Sequence, residues 1–295
     1  MSFSASSRDF LTWTEGRWVV LDHLPDGDSL RFIPHDPQAL SHRFTRLRWG
    51  KDDTCSVRLM GIDAPEIHYR VRGHRLWRQP PPWGEQAGAA LLSFLGFPQI
   101  SRTREGRIVA ASPPACNGAM AIQRVDRYGR ALALAFRGDH GVTHAPSSPL
   151  PHLWWTSANH HLLTEGWVYP LIHDDFPKPW RPIVMTATAT ARTLGLPLWA
   201  NDHTHRGFPL DEEFESHRII EEKHLIWPFL FRRLVRVWAD RPSHSPTDWI
   251  QKLDRAVGPV TLSSSACVVP FGALLSYQRQ QLQLLVPPEE IVLPR

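Results

Sequence analysis

The chain has 295 residues, 42% of them apolar and 21% charged, which is enough to bury a core and excludes wholesale disorder. Its longest apolar runs, such as Leu91 to Phe97, are far too short to span a bilayer. Lys and Arg outnumber Asp and Glu by 33 to 29, at a pI near 9.2, which admits a polyanionic partner without requiring one.

In chain order, residues 1–16 read as a polar leader. Val19 and Val20 begin a short strand, Pro25-Asp26-Gly27-Asp28 is a tight turn, and Leu30 to Ile33 returns as the second strand of a hairpin. Cys55 to Ile62 predicts another strand. Trp83 to Leu95 carries Gln86, Ala90, Leu91 and Phe94 at helical spacing. Ile100 to Ala110 and Arg130 to Phe136 read as strands, and Gly138 to Ser157 reads as a surface loop. Helices are predicted over His160–Glu165, stopped near Gly166, and over Ile183–Leu194, stopped by Gly195. Residues 201–225 form an acidic segment, expected to be a solvated linker or helix. From Ile226 onward β-type patterning dominates. Leu234 to Trp238 and Val260 to Val269 are expected strands, with a helix over Thr247–Ala256 between them. Residues 226–295 are thus expected to form a small, mainly-β domain.

The basic residues are skewed. Only Lys51, Lys178, Lys223 and Lys252 are lysine, leaving 29 arginines among the 33. With 27 prolines and 13 tryptophans, a GC-rich coding sequence accounts for the bulk of that skew, so each arginine must be judged separately. The three cysteines, Cys55, Cys116 and Cys267, contain no C-x-x-C, so neither a zinc knuckle nor a disulfide framework is indicated. The first fifteen residues lack a basic start and an apolar run, so no signal peptide is expected and the default setting is a reducing cytoplasm. Asp202, His203 and His205 lie close in sequence, but exposure is the better reading of them than a metal site.

Four segments carry chemistry when read together. Asp26-Gly27-Asp28-Ser29 is a hairpin tip that presents Asp28. Arg58 to Glu66 is a strand ending in Asp63, followed by a Pro65-stiffened turn that presents Glu66. Asp126-Arg127-Tyr128-Gly129-Arg130 is a turn feeding a strand, and the later helix ends at Gly166. Arg58 and Asp63 are five apart, so strict alternation would put them on opposite faces unless the strand breaks, for which Gly61 is a plausible point.

With Trp83-Gly84-Glu85-Gln86-Ala87, Leu162-Leu163-Thr164-Glu165-Gly166 and Leu196-Pro197-Leu198-Trp199, these segments resemble, in order, the staphylococcal nuclease-like (thermonuclease) domain family over about residues 17–199. The resemblance implies an α+β fold: a five-stranded OB-fold β-barrel with three helices. It places such a domain over 17–200, with insertions at about 34–54, 68–82 and 138–158. It also implies hydrolysis of phosphodiester bonds in DNA or RNA, usually with Ca²⁺, and with Mg²⁺ or Mn²⁺ as substitutes. Carried over by position, Asp28, Asp63 and the main-chain carbonyl of Ala64 resemble the metal ligands. Many members have Thr where Ala64 stands, but a backbone ligand does not need the side chain. Glu66 resembles the group that orients or deprotonates the attacking water. Arg58 and Arg130 resemble the phosphate-binding arginines.

The chemistry explains the residue types independently. An anionic phosphodiester repels hydroxide, so positive charge is needed. Carboxylates and a carbonyl are hard ligands suited to Ca²⁺ or Mg²⁺. Arginine forks hold non-bridging oxygens bidentately.

The insertion after Glu66 carries Tyr69, Arg70, Arg72, Arg75, Trp77 and Arg78 with no acid among them. It is either a backbone clamp with base-stacking rings, joined by Arg127 and Tyr128, or a solvated or partner-covered loop. Two other readings stand beside an active nuclease. One is a nucleic-acid-binding module, like the Tudor staphylococcal nuclease repeats that lack the full catalytic set. The other is a latent nuclease subunit, with a loosely implied defence role, held or activated by a protein partner or self-association through 226–295. No membrane partner is expected.

Overall fold

The computed structural model describes residues 11–141, 150–210, 219–240 and 246–295. The chain opens with β1 (Thr12–Val19), β2 (Ser29–Pro34) and helix α1 (Pro37–Arg43). β3 (Cys55–Leu59) and β4 (Gly61–Asp63) are separated only by Met60. A hairpin of β5 (Tyr69–Arg70) and β6 (Leu76–Trp77) precedes α2 (Trp83–Phe94), and a hairpin of β7 (Gln99–Arg102) and β8 (Ile108–Ser112) follows it. Next come β9 (Ala115–Val125), β10 (Ala131–Arg137), α3 (Pro151–Trp155), α4 (Ala158–Thr164), β11 (Tyr169–His173) and α5 (Arg181–Thr193). The remainder holds β12 (Phe208–Pro209), α6 (Pro228–Asp240), α7 (Pro246–Val257) and β13 (Pro259–Leu262). It ends with β14 (Val268–Pro270), β15 (Leu275–Gln278), β16 (Gln281–Leu284) and β17 (Ile291–Leu293).

The fold is α+β and contains two compact units, neither of which is one continuous segment. The first comprises the residues up to Met60, with Gly88–Leu162 and Asp175–Ile183. Its centre is a closed five-stranded barrel in the order β1-β2-β3-β10-β9. All neighbours pair antiparallel except β3 and β10, which run parallel. Trp18, Phe32, Val57, Met120, Ile122, Leu134 and Phe136 are fully buried in this unit. The Trp18 indole donates to the Phe136 carbonyl at 2.8 Å, so the ring is buried without an orphaned N–H. Asn159, buried on α4, satisfies the parallel seam. Its side chain accepts from Ala135 N at 3.1 Å and donates to the carbonyls of Met60 and Ala133 at 2.8 and 3.2 Å.

Several expectations change here. The first strand starts at Thr12, inside the expected leader, rather than at Val19. β9, the longest strand, had no counterpart in the sequence reading. Its Ala, Gly and Asn residues have poor strand propensity, but it lies between two barrel strands and its middle is buried on both faces. Ile100 to Ala110 is a hairpin, turned where Gly106 N donates to the Thr103 carbonyl at 2.9 Å. Of the expected loop at 138–157, residues 142–149 lie outside the described residues, and 151–155 is helical.

The second unit comprises Gly61–Ala87, Leu163–Asp174 and Val184–Arg295. It is built on a five-stranded sheet in the order β14-β13-β17-β11-β4, with a smaller β12-β16-β15 sheet. The expectation of a mainly-β end is corrected. Leu234 to Trp238 belongs to helix α6, and α7 follows it. Leu234-Val235-Arg236-Val237-Trp238 has the β-branched and aromatic content of a strand, but over the full stretch Phe231, Leu234, Val235 and Trp238 recur at helical spacing and are buried. They share a core with Trp227, Trp249, Leu253 and Phe271. Of the acidic segment's described carboxylates, Asp202 and Glu221 are buried, both 6% exposed, while Glu222 is exposed as a solvated segment would be.

Candidate functional site

In the first unit, Asp28 stands immediately before β2 and is buried at 1% exposure. Its backbone is pinned from both sides, since its N–H donates to Asp26 Oδ1 at 3.3 Å and its carbonyl accepts from Leu59 N at 2.8 Å. Arg58 lies on β3 opposite Ser29 in the antiparallel register, one residue from Asp28. Its guanidinium donates to Asp28 Oδ1 in a short ion pair, and Ser29 Oγ donates to the same oxygen at 3.3 Å.

The same register carries the second arginine. Leu132 of β10 is the partner of Arg58, and Arg130 precedes it by two residues, which puts Arg130 at the start of the barrel strand that neighbours Arg58's own, just before β10. The turn before β10 is organised by Asp126. Its Oδ1 accepts from Tyr128 N at 2.8 Å and Arg130 N at 2.9 Å, and its Oδ2 accepts from Arg130 Nε at 2.8 Å. Arg127 and Arg130 both lie over the exposed Tyr128 ring, at 4.8 and 5.4 Å from its centroid.

In the second unit, Asp63 ends β4, opposite Tyr169 of β11, and is fully buried. Gly61, at φ +77°, supplies the break that strict alternation required. Ala64 is buried as well, at 4%. Glu66 follows Pro65 and is fixed through its backbone. Gln79 Oε1 accepts from Glu66 N at 3.0 Å, and Gln79 N donates back to the Glu66 carbonyl at 2.7 Å. The other end of the buried Gln79 amide donates to the Ile226 carbonyl at 2.6 Å. Gly84, at the start of α2, lets the helix abut this turn: a Cβ there would meet the Pro65 carbonyl oxygen at 2.6 Å.

The carboxylates of Asp63 and Glu66 meet on one cation, Arg232 of α6. Its two terminal nitrogens grip Asp63 as a fork, Nη1 to Oδ1 and Nη2 to Oδ2, both at 2.9 Å. Nη1 also donates to Glu66 Oε1 at 2.6 Å. Burial disfavours this guanidinium's charge, but Asp63 and then Glu66 more than offset it, so the proton is held more tightly than usual. Arg232 and Gln79 were both missed in the sequence. Neither carries a motif, and Arg232 is chemically indistinguishable there from Arg233, which instead lies over Phe229 at 4.9 Å.

The insertion after Glu66 is corrected in part. Trp77 is buried at 4% exposure, so its ring is not a platform for a base. Arg75 stacks on it at 4.0 Å and pairs with Glu221, which also accepts from Arg78 N at 3.3 Å. Arg78 pairs with Glu85 at 2.6 Å, and the Tyr69 hydroxyl accepts from Arg236 Nε at the same distance. Arg70 and Arg72 are exposed.

Asp202, His203 and His205 do not converge. The buried Asp202 accepts from Tyr169 Oη at 2.6 Å and Thr204 N at 3.2 Å, while His205 Nδ1 lies 2.8 Å from the Leu284 carbonyl. Burial pushes the Asp202 carboxyl up despite those hydrogen bonds. Among the described residues, no group of three or more His, Cys, Asp or Glu side chains is placed to hold a metal, and no helix is long and apolar enough to cross a membrane. The chain matches no known family model, and no curated protein matches it.

Proposed function

We propose that this chain is a metal-dependent nuclease of the staphylococcal nuclease type, acting on DNA, RNA or both, with calcium as its cation. The resemblance assigns catalytic roles to Arg58, Glu66 and Arg130, and metal-ligand roles to Asp28, Asp63 and the Ala64 carbonyl. One observation carries the reading: Asp63 and Glu66, on either side of Ala64-Pro65, share a single guanidinium. That brings the candidate base and a candidate metal carboxylate to one positively charged point, as the proposed chemistry would use them. The donor set is hard oxygen throughout, so it fits Ca²⁺ or Mg²⁺ by type. A fully buried carboxylate such as Asp63 also needs a positive partner, which Arg232 now supplies.

Bound calcium would polarise a phosphoryl oxygen and lower the pKa of its water. Glu66 takes the proton of the attacking water or orients it, from a backbone fixed by Gln79. Arg58 and Arg130 donate to the non-bridging oxygens and neutralise charge that grows in the transition state. To do so they exchange Asp28 and Asp126 for phosphate, their present ion pairs keeping both forks pre-positioned.

The test is cleavage of single- and double-stranded DNA and RNA in Ca²⁺, Mg²⁺, Mn²⁺ or chelator. Metal-dependent cleavage is expected, lost in Glu66→Gln and Arg130→Ala. Cleavage that persists in chelator, or survives both substitutions, overturns the assignment.

A further inference from the structure

We propose that Arg232 is an internal latch: its guanidinium occupies the carboxylates that a divalent cation and the water-activating base need, and keeps the site latent until the cation displaces it. The inference rests on the nuclease reading for its consequence, but its physical content is a competition between two cations for Asp63.

The geometry makes that competition direct. The fork takes one hydrogen bond to each Asp63 oxygen, so a metal cannot engage Asp63 without displacing at least one of them. The third bond, to Glu66 Oε1, occupies an oxygen of the group that must accept a proton. One side chain therefore occupies both carboxylates at once.

The latch is held from outside the motif. Arg232 is 169 positions from Asp63, on a helix anchored by the buried Leu230, Phe231, Leu234 and Val235. Its side chain is nevertheless 20% exposed, against 0% for Asp63, so Arg232 is less deeply enclosed than the carboxylate it holds. Being on the same chain, it competes at a high effective concentration, and the metal must overcome that on every binding event. Free calcium then becomes the variable that sets activity. The arrangement also gives the residues after 226 a defined role: they carry the inhibiting cation.

The experiment is calcium binding, followed by calorimetry and by the calcium-induced shift in melting temperature, in the full chain, Arg232→Gln, and Arg232→Gln combined with Asp63→Asn. Arg232→Lys is the second single variant; it keeps a charge but lacks the fork, and it serves if the glutamine variant does not fold. The latch predicts calcium affinity higher by on the order of tenfold in Arg232→Gln, within the usual range of coupling between sites. A smaller gain is expected in Arg232→Lys and none in the double variant. Equal or weaker calcium binding in the single variants overturns the latch, as does a gain that survives Asp63→Asn. Cleavage is measured on the same proteins. Tighter calcium binding without any cleavage preserves the latch and removes the nuclease reading. Calcium-dependent cleavage in the full chain that disappears in both Arg232 variants removes the latch and makes Arg232 a working part of the reaction.

Discussion

Two arginine–carboxylate sites in this molecule look alike and are built differently. In the barrel, Arg58 reaches Asp28 from the adjacent strand, and both belong to short motifs joined by the β2–β3 register. In the second unit, Arg232 reaches Asp63 and Glu66 from a helix far along the chain. The first pairing follows from strand register, which keeps the Arg58 fork in place at little entropic cost. The second needs long-range packing to bring a cation to two acids. Under the proposed function, Arg58 leaves Asp28 for phosphate and so frees that ligand, whereas Arg232 leaves Asp63 and Glu66 only when a cation displaces it.

The sharpest way to break that contrast is the rate. Arg58→Ala should lower cleavage by about 100-fold to 1000-fold, the usual effect of losing a donor to developing negative charge. Arg232→Gln should instead raise cleavage at limiting calcium. If both substitutions lower the rate alike, the two sites do not differ in kind.

Stability comes next. Removing one partner of a buried ion pair leaves an uncompensated charge, and Arg232→Gln should cost about 3 kcal/mol in chelator. Calcium should restore part of it, read as a denaturation midpoint with and without the ion. Replacing Asp63, Glu66 and Arg232 together by Asn, Gln and Gln should cost less than Arg232→Gln alone, because no charge is stranded.

Gln79→Ala should cost about 1–3 kcal/mol by leaving buried backbone groups of Glu66 and Ile226 unsatisfied. Because it loosens Glu66 rather than Asp63, it should lower the cleavage rate more than calcium affinity. The reverse split would show that Gln79 does not position the base.

The smallest effects fall in the insertion. Arg70→Ser with Arg72→Ser should leave stability within about 0.5 kcal/mol, as expected for exposed sites. It should weaken nucleic-acid binding and flatten its salt dependence. Arg75→Ser should act mainly on stability, because Arg75 covers Trp77 and neutralises Glu221. Equal effects of the two changes on binding would return the whole loop to the role of a clamp.

The legible parts of the sequence were the local ones. The Asp28 turn, the β3–β4 break at Gly61 and the Asp126 turn declare themselves through Gly and Asp chemistry within a few residues. Helices α2, α4, α5 and α7 show the expected period. β9 did not, because a strand buried on both faces has no alternation and its small residues have no strand preference. α6 was misread because its β-branched and aromatic residues mimic a strand over five positions. Arg232 and Gln79 were invisible for a different reason: their meaning lies wholly in tertiary contacts, and nothing local separates Arg232 from the other arginines of a skewed composition. Of that skew, Arg58 and Arg232 now have defined partners at the candidate site, Arg75 and Arg78 are accounted for by ion pairs, and Arg70 and Arg72 are exposed.

The most direct measurement is a calcium titration of cleavage by the full chain, Arg232→Gln, and Arg232→Gln combined with Glu66→Gln. Cleavage by the single variant at roughly tenfold lower calcium than the full chain, abolished when Glu66 is also replaced, is the predicted result. Calcium dependence unchanged by Arg232→Gln, or cleavage that survives the loss of Glu66, would contradict it.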